Sequence, residues 1–258
     1  MSSVALLEPR VPTNKEMRLL SWIDPLKLSW KGLSLNTNAI DMIEANPDKI
    51  DWTRIWCNPN AMHLLHSKKK NSRAWWHLNG NPGAMYLLEK NPAKIDFTAL
   101  SSNTSPVAMA ILEKNLAYAN WPALTSNPAA IHIIRKYNIT DYWACLCKNP
   151  AAIDLIEANP DKIDWKWLAM NPAAIHIIEA NLHLFDTDCW IALSANPAAI
   201  HILKANQTKI SWPHLSANPA IFEPNLPRPP VYKEDLVKNV FRPDRVERMG
   251  GPEWLECV

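Results

Sequence analysis

The side chains of this chain that could do chemistry are few, and most recur at a fixed period. His132, His176 and His201 occupy one position of a repeated pattern, each directly after an isoleucine. A column of imidazoles suggests a row of metal ligands. No Cys or carboxylate completes a set, however, and neighbouring ligands would come from separate units. The same slot holds Asp41, Tyr86 and Asp154 elsewhere, so it reads as a solvated edge. Cys145 and Cys147 are too close in sequence for the usual zinc pair, and no second pair accompanies them. They read as small buried apolar residues. The run Ser67-Lys68-Lys69-Lys70-Asn71-Ser72-Arg73 is the one basic cluster, with Trp75 and Trp76 beside it. It can bind phosphate or an acidic partner, or be a solvated turn. The chain has no glycine-rich phosphate loop, nucleophile elbow, HExxH or isolated carboxylate pair. No catalytic, cofactor-binding or metal-ligating residue is therefore assigned, and no cofactor is expected.

The elements that carry these residues come from a 22-residue unit, clearest over 149–170: NPAAIDLIEANPDKIDWKWLAM. Asn149 suits a helix N-cap, and Pro150 fits the first helical position, where an N–H is not needed. A helix is expected from Ala151 to about Ala158, with Ala152, Ile153 and Ile156 on its apolar side and Asp154 and Glu157 turned away. Asn159-Pro160 stops it. Ile163 then plugs inward, and Asp164 caps a shorter helix or 3₁₀ turn through Trp165, Trp167 and Leu168. Helices this short are unstable alone in water, so each unit must bury its apolar side against its neighbours.

Units follow at 14–35, 36–57, 58–80 and 81–102. The fifth starts with Ser105-Pro106 in the Asn-Pro slot after a two-residue insertion. Then come 127–148, 149–170, 171–195 and 196–217, and a tenth begins at Asn218 and is abandoned at Pro224. The first unit is degenerate, as expected of an end repeat that meets solvent. Extra residues fall mainly in the inner turns, around 67–71 and 182–189. Residues 1–13 form a leader in which Leu6, Leu7 and Val11 are expected to cover the open end. The solenoid spans 14–224. Residues 225–258 form a proline-rich linker and extension that caps the last repeat or docks on a partner. Helices packed about 8–10 Å apart would make nine units a curved rod of very roughly 80–90 Å.

Composition bounds the rest. The chain has 258 residues, 48% apolar, with 22 Pro against 5 Gly and 13 Trp. A net charge of +2 gives no global attraction to nucleic acid or anionic membrane, so nucleic acid is not the expected partner. No apolar run approaches the roughly 20 residues of a membrane span. The opening MSSVALLEPR is not expected to act as a secretory signal. Five cysteines without framework spacing are expected to be reduced thiols in a cytosol-like compartment.

The tryptophans at 30, 52, 75, 121, 143, 165, 190 and 212 fill one repeat position, with Phe97 in the fourth unit. They read as core packing. A base-stacking platform would need adjacent cations, and the neighbouring residue is Asp or Ser as often as Lys or Arg. Trp22, Trp56, Trp76, Trp167 and Trp254 break the register and are expected to be partly exposed contact points. The asparagine columns read as caps and turns. The candidate partner-binding residues are thus Lys68, Lys69, Lys70, Arg73, Trp76, Trp167 and Trp254.

The units NPAAIDLIEANPDKIDWKWLAMNPAAIHII, KNPAKIDFTALSSN and SANPAAIHILKANQTKISWPHLSANP resemble a family of tandem-repeat proteins of giant nucleocytoplasmic large DNA viruses, across about residues 14–221. The ending around Phe241, Arg242, Pro243, Asp244 and Arg245 is similar to the ending such proteins carry. The resemblance implies a minor capsid or virion role and a location in the virion or host cytoplasm. The expectation is an all-α solenoid of about nine helix–turn–helix units: a non-catalytic scaffold for protein–protein interaction, capsid proteins included. The alternatives are a nucleic-acid-binding solenoid using the basic turn at 67–73, or a host-directed adaptor. The oligomeric state stays open.

Overall fold

Asn149-Pro150 opens a 3₁₀ turn, Pro150–Ala152, which passes into a short α-helix, Ile153–Glu157. The Asn149 side chain caps the turn by accepting from the Ala151 N–H. A second 3₁₀ turn, Pro160–Lys162, leads to the helix Trp165–Leu168, whose Asp164 cap accepts from the Trp167 N–H. A computed structural model describes residues 17–225 of the chain, and this four-part unit recurs through it. The fold is an all-α solenoid of short helices. The expected leader at 1–13, nearly all of the extension at 225–258, and Trp254 with it, lie outside the described residues.

Neighbouring units are joined by a ladder of buried asparagines. The Asn149 Nδ2 donates to the carbonyls of Thr125 and Asn127, in the preceding unit. Asn58, Asn103, Asn127, Asn171, Asn196 and Asn218 each make the same pair of bonds one unit back. Asn81 makes one of them, to Trp56 O. Their Oδ1 atoms meanwhile accept from the N–H two residues on, as in Asn58 with Asn60 and Asn171 with Ala173. In the fifth unit the ladder residue is Asn103, not Ser105. Ser105 caps the helix Pro106–Glu113 separately through the Ala108 N–H. These asparagines are therefore more than caps: all but Asn81, which satisfies one, satisfy two main-chain groups of the neighbouring unit.

Residues 19–223 form one compact unit, and within it the ladder has no end. Asn36, at the first ladder position, donates to Ser216 O at 3.0 Å and Asn218 O at 2.8 Å. These are the bonds that any other ladder asparagine makes to its predecessor. Asn38 reaches Pro219 O, Ser29 N–H donates to Ser216 Oγ, and Leu20 N–H donates to Ile221 O. The helices Trp30–Leu33 and Trp212–Leu215 pack together. A strand at Met17–Leu19 pairs with one at Phe222–Pro224. The nine ladder units thus close into a ring, which corrects the expected rod with an open end. The first unit departs from the consensus because it fits the last one. Gly32 lies so close to helix Trp212–Leu215 that a Cβ there would stand 2.6 Å from Pro213 O.

Two further ladders follow the same circuit. Polar side chains two residues before the ladder asparagine accept from the next unit: Ser34 from Asp51 N–H, Ser101 from Asn120 N–H, and Ser194 from Ser211 N–H. Ser216 closes this circuit onto Ser29. Lysines stack on the tryptophan of the preceding unit: Lys49 on Trp30, Lys162 on Trp143, Lys209 on Trp190. Lys27 closes the circuit on Trp212, 5.0 Å from the ring centroid. The tryptophan helices pack directly against their counterparts in the next unit, as do the Asn-Pro turns. The other helices approach their counterparts less closely. A ring is shortest on its inside, so the tryptophan helices line the inner circumference.

Candidate interaction surfaces

The tryptophan column is not the solid core expected from the sequence. Only Trp190 is buried; Trp30, Trp75, Trp121, Trp143, Trp165 and Trp212 are half-buried, and Trp52 is 38% exposed. A lysine lies over the rings of Trp30, Trp52, Trp143 and Trp212, which stay partly solvated, and over that of Trp190, which is buried. The core instead consists of Leu, Ile and Ala positions such as Ile43, Leu78, Leu112 and Leu168. Trp56 also departs from expectation. It occupies the slot two residues before a ladder asparagine, which faces the next unit, and it is buried rather than a contact point. Trp22 and Trp167 are half-buried. Lys148 lies 5.9 Å from the Trp167 ring, and burial lowers the pKa of its ammonium.

The histidine column sits on a solvated edge and is used there. His132 pairs with Glu113, His176 with Glu157, His201 with Glu179 and His63 with Glu44, each across a unit boundary. At the sixth and seventh units the charges are exchanged, with Arg135 bidentate on Asp154 at 2.8 and 2.9 Å. Among the described residues no three His, Cys, Asp or Glu converge as metal ligands. Cys147 is buried and Cys145 half-buried, so the apolar reading holds fully only for Cys147. Its sulfur replaces the serine of the second ladder and accepts from Asp164 N–H at 3.5 Å. Cys57, Cys145, Cys147 and Cys189 carry free thiols.

The basic turn is split by the structure. Lys70 folds back, its Nζ donating to the carbonyls of Leu65, His66 and Lys68 at the end of helix Met62–Leu65. Lys68 lies over the Trp52 ring at 4.0 Å. Lys69 and Arg73 are exposed, as is Arg54 from the preceding unit. Trp76 is 51% exposed, three residues and hence one helical turn from Arg73. His77 lies edge-on to Trp76, and its Nδ1 is 3.2 Å from Cys57 Sγ. Burial, then the charges of Arg73 and Arg54, hold the His77 pKa below the ordinary imidazole value. Sequence reasoning missed Arg54 because it stands alone in the chain and joins the cluster only through stacking of the units.

A shallow concavity of about 300 Å³ lies between the fifth and sixth units, bordered by Thr104, Met109, Glu113 and His132. Its two ionisable groups are paired with each other. Among the described residues no helix is long and apolar enough to cross a membrane. Comparisons with protein-family models, with curated proteins and with solved structures find no match.

Proposed function

We propose that this protein is a non-catalytic ring scaffold that mediates protein–protein interaction, as a minor capsid-associated component of a giant DNA virus. One observation carries the scaffold reading. The recurring polar side chains, the ladder asparagines above all, are committed to joining one unit to the next. A partner is left with the ring's outer surface and the places where the unit is varied. Repeat architectures of this kind present extended surfaces rather than enclosed chemistry. The virion placement rests on the sequence resemblance alone.

Cross-linking mass spectrometry on purified virions and infected cells tests the reading. Exposed lysines such as Lys31, Lys114 and Lys204 are expected to cross-link reproducibly to a small set of virion proteins. Cross-links confined to host proteins would replace the virion placement with an adaptor role. No reproducible cross-link to any protein would contradict the scaffold reading itself.

A further inference from the structure

Residues 53–88 contain no Asp or Glu, yet they hold Arg54, Lys68, Lys69, Lys70 and Arg73. Elsewhere on the ring carboxylates are interspersed with the cations, and two of them pair, Arg135 with Asp154 and Lys166 with Asp188. Among the described residues, Arg54, Lys68, Lys69 and Arg73 make no ion pair. The sector is therefore a local concentration of positive charge on a chain whose net charge is only +2. Trp76 stands within it, 51% exposed, on the same helical face as Arg73.

We propose that this sector binds single-stranded nucleic acid, with phosphates against Arg54, Lys68, Lys69 and Arg73 and a base stacked on Trp76. The charge alone would suit any polyanion. The exposed indole narrows the choice, because an unpaired base offers a flat face to stack on, and an acidic peptide or a closed duplex leaves Trp76 in water. Trp52 is not the platform, since Lys68 already covers its ring. The basic turn can carry this role because it has an extra residue and lacks the Asn-Pro-Asp-Lys sequence of the turns at 46–49 and 159–162. This surface and the protein-scaffold reading are independent, and each can fail alone.

The test is fluorescence anisotropy of the full chain with a labelled oligothymidylate of about twenty nucleotides. Neutralising three to four phosphates predicts affinity falling about 20- to 50-fold between about 50 and 200 mM salt. Lys68→Glu with Lys69→Glu is expected to weaken binding at least about tenfold. Lys114→Glu with Lys136→Glu makes the same change in net charge away from the sector and should leave binding unaltered. Trp76→Ala should weaken binding about tenfold without changing the salt slope. Circular dichroism checks the fold of each variant, and Lys68→Gln with Lys69→Gln is the milder substitute if the charge reversal unfolds. Absence of binding at low salt overturns the proposal, as does an equal loss in the Lys114/Lys136 control. Tighter binding of a labelled oligoglutamate, insensitive to Trp76→Ala, overturns it in favour of an acidic protein partner.

Discussion

The side-chain amide of Asn36 donates to the main-chain carbonyl of Asn218 at 2.8 Å, although 182 residues separate them. Asn58 makes the same bond to Asn36, at a separation of 22. The bond between the ends is therefore the repeat bond itself. Closure leaves no end unit facing solvent among residues 19–223, so these units need no special capping repeat. A full turn shared by nine units is about 40° per unit, a value set by how tightly the tryptophan helices pack compared with the outer ones.

The ladder asparagines should outweigh the inner ones energetically. Asn149→Ala strands the buried carbonyl of Thr125, leaves that of Asn127 with the Ala130 N–H alone, and removes a cap, and is expected to cost about 2–5 kcal/mol. Asn159 donates to Leu155 O and accepts from the exposed Lys162 Nζ, both within its own unit, so Asn159→Ala should cost about 1 kcal/mol. Urea unfolding of the two variants checks the order. Equal losses would mean that the ladder adds nothing to ordinary capping.

Gly32 marks the closest approach at the closure. A Cβ there would meet Ser216 Cβ at 2.5 Å as well as Pro213 O. Gly32→Ala should destabilise by about 1–3 kcal/mol through overpacking. Gly80 is the control, with its nearest atom, Ala99 O, at 3.5 Å. Gly80→Ala should stay within about 1 kcal/mol of the parent. A harmless Gly32→Ala would show that the two helices do not meet.

Trp190 and Trp52 share a repeat position but differ in burial. Trp190 is 5% exposed and meets the edge of Phe185, so Trp190→Ala should cost about 3–5 kcal/mol. Trp52 is half in solvent beneath Lys68, and Trp52→Ala should cost about 1 kcal/mol. Thermal melts of both variants measure the gradient along the column.

His77 titrates below the ordinary histidine value because it is partly buried and stands beside Arg73 and Arg54. The unfolded chain takes up its proton near pH 6.5. Below that value the unfolded state binds a proton that the native state refuses, so stability falls as pH drops through this window and is unaffected above it. Nuclear magnetic resonance titration should place the His77 midpoint below the ordinary value, and Arg73→Gln should raise it. Between about pH 7 and pH 5 the parent should lose more stability than His77→Gln. A midpoint at or above the free value would contradict the placement of these three side chains.

What the sequence made legible was local. The Asn149 cap, the Asp164 cap and the pairing of short helices depend on residues within a few positions of one another. Closure depends instead on a small bend repeated through every unit, which no single residue encodes. Its traces were present in Gly32, inside the unit that reads as a degenerate end repeat, and in Asn36, which reads as one more cap. Tryptophan burial was misjudged for a related reason: the residues that cover a ring, such as Lys49 over Trp30 and Lys162 over Trp143, come from the next unit. Trp56 showed the reverse, an off-register residue placed in a buried slot. Arg54 joined the basic sector only once the units were stacked.

The ring is tested most directly by the distance between its first and last tryptophan helices. Spin labels carried by noncanonical residues at Lys31 and Pro213, both exposed, can be measured by double electron–electron resonance in the full chain. Packed neighbouring helices predict a single short distance, roughly 10–25 Å with the label arms included. An open solenoid with the same units would place the labels about 65–80 Å apart. A population at that long distance would contradict closure.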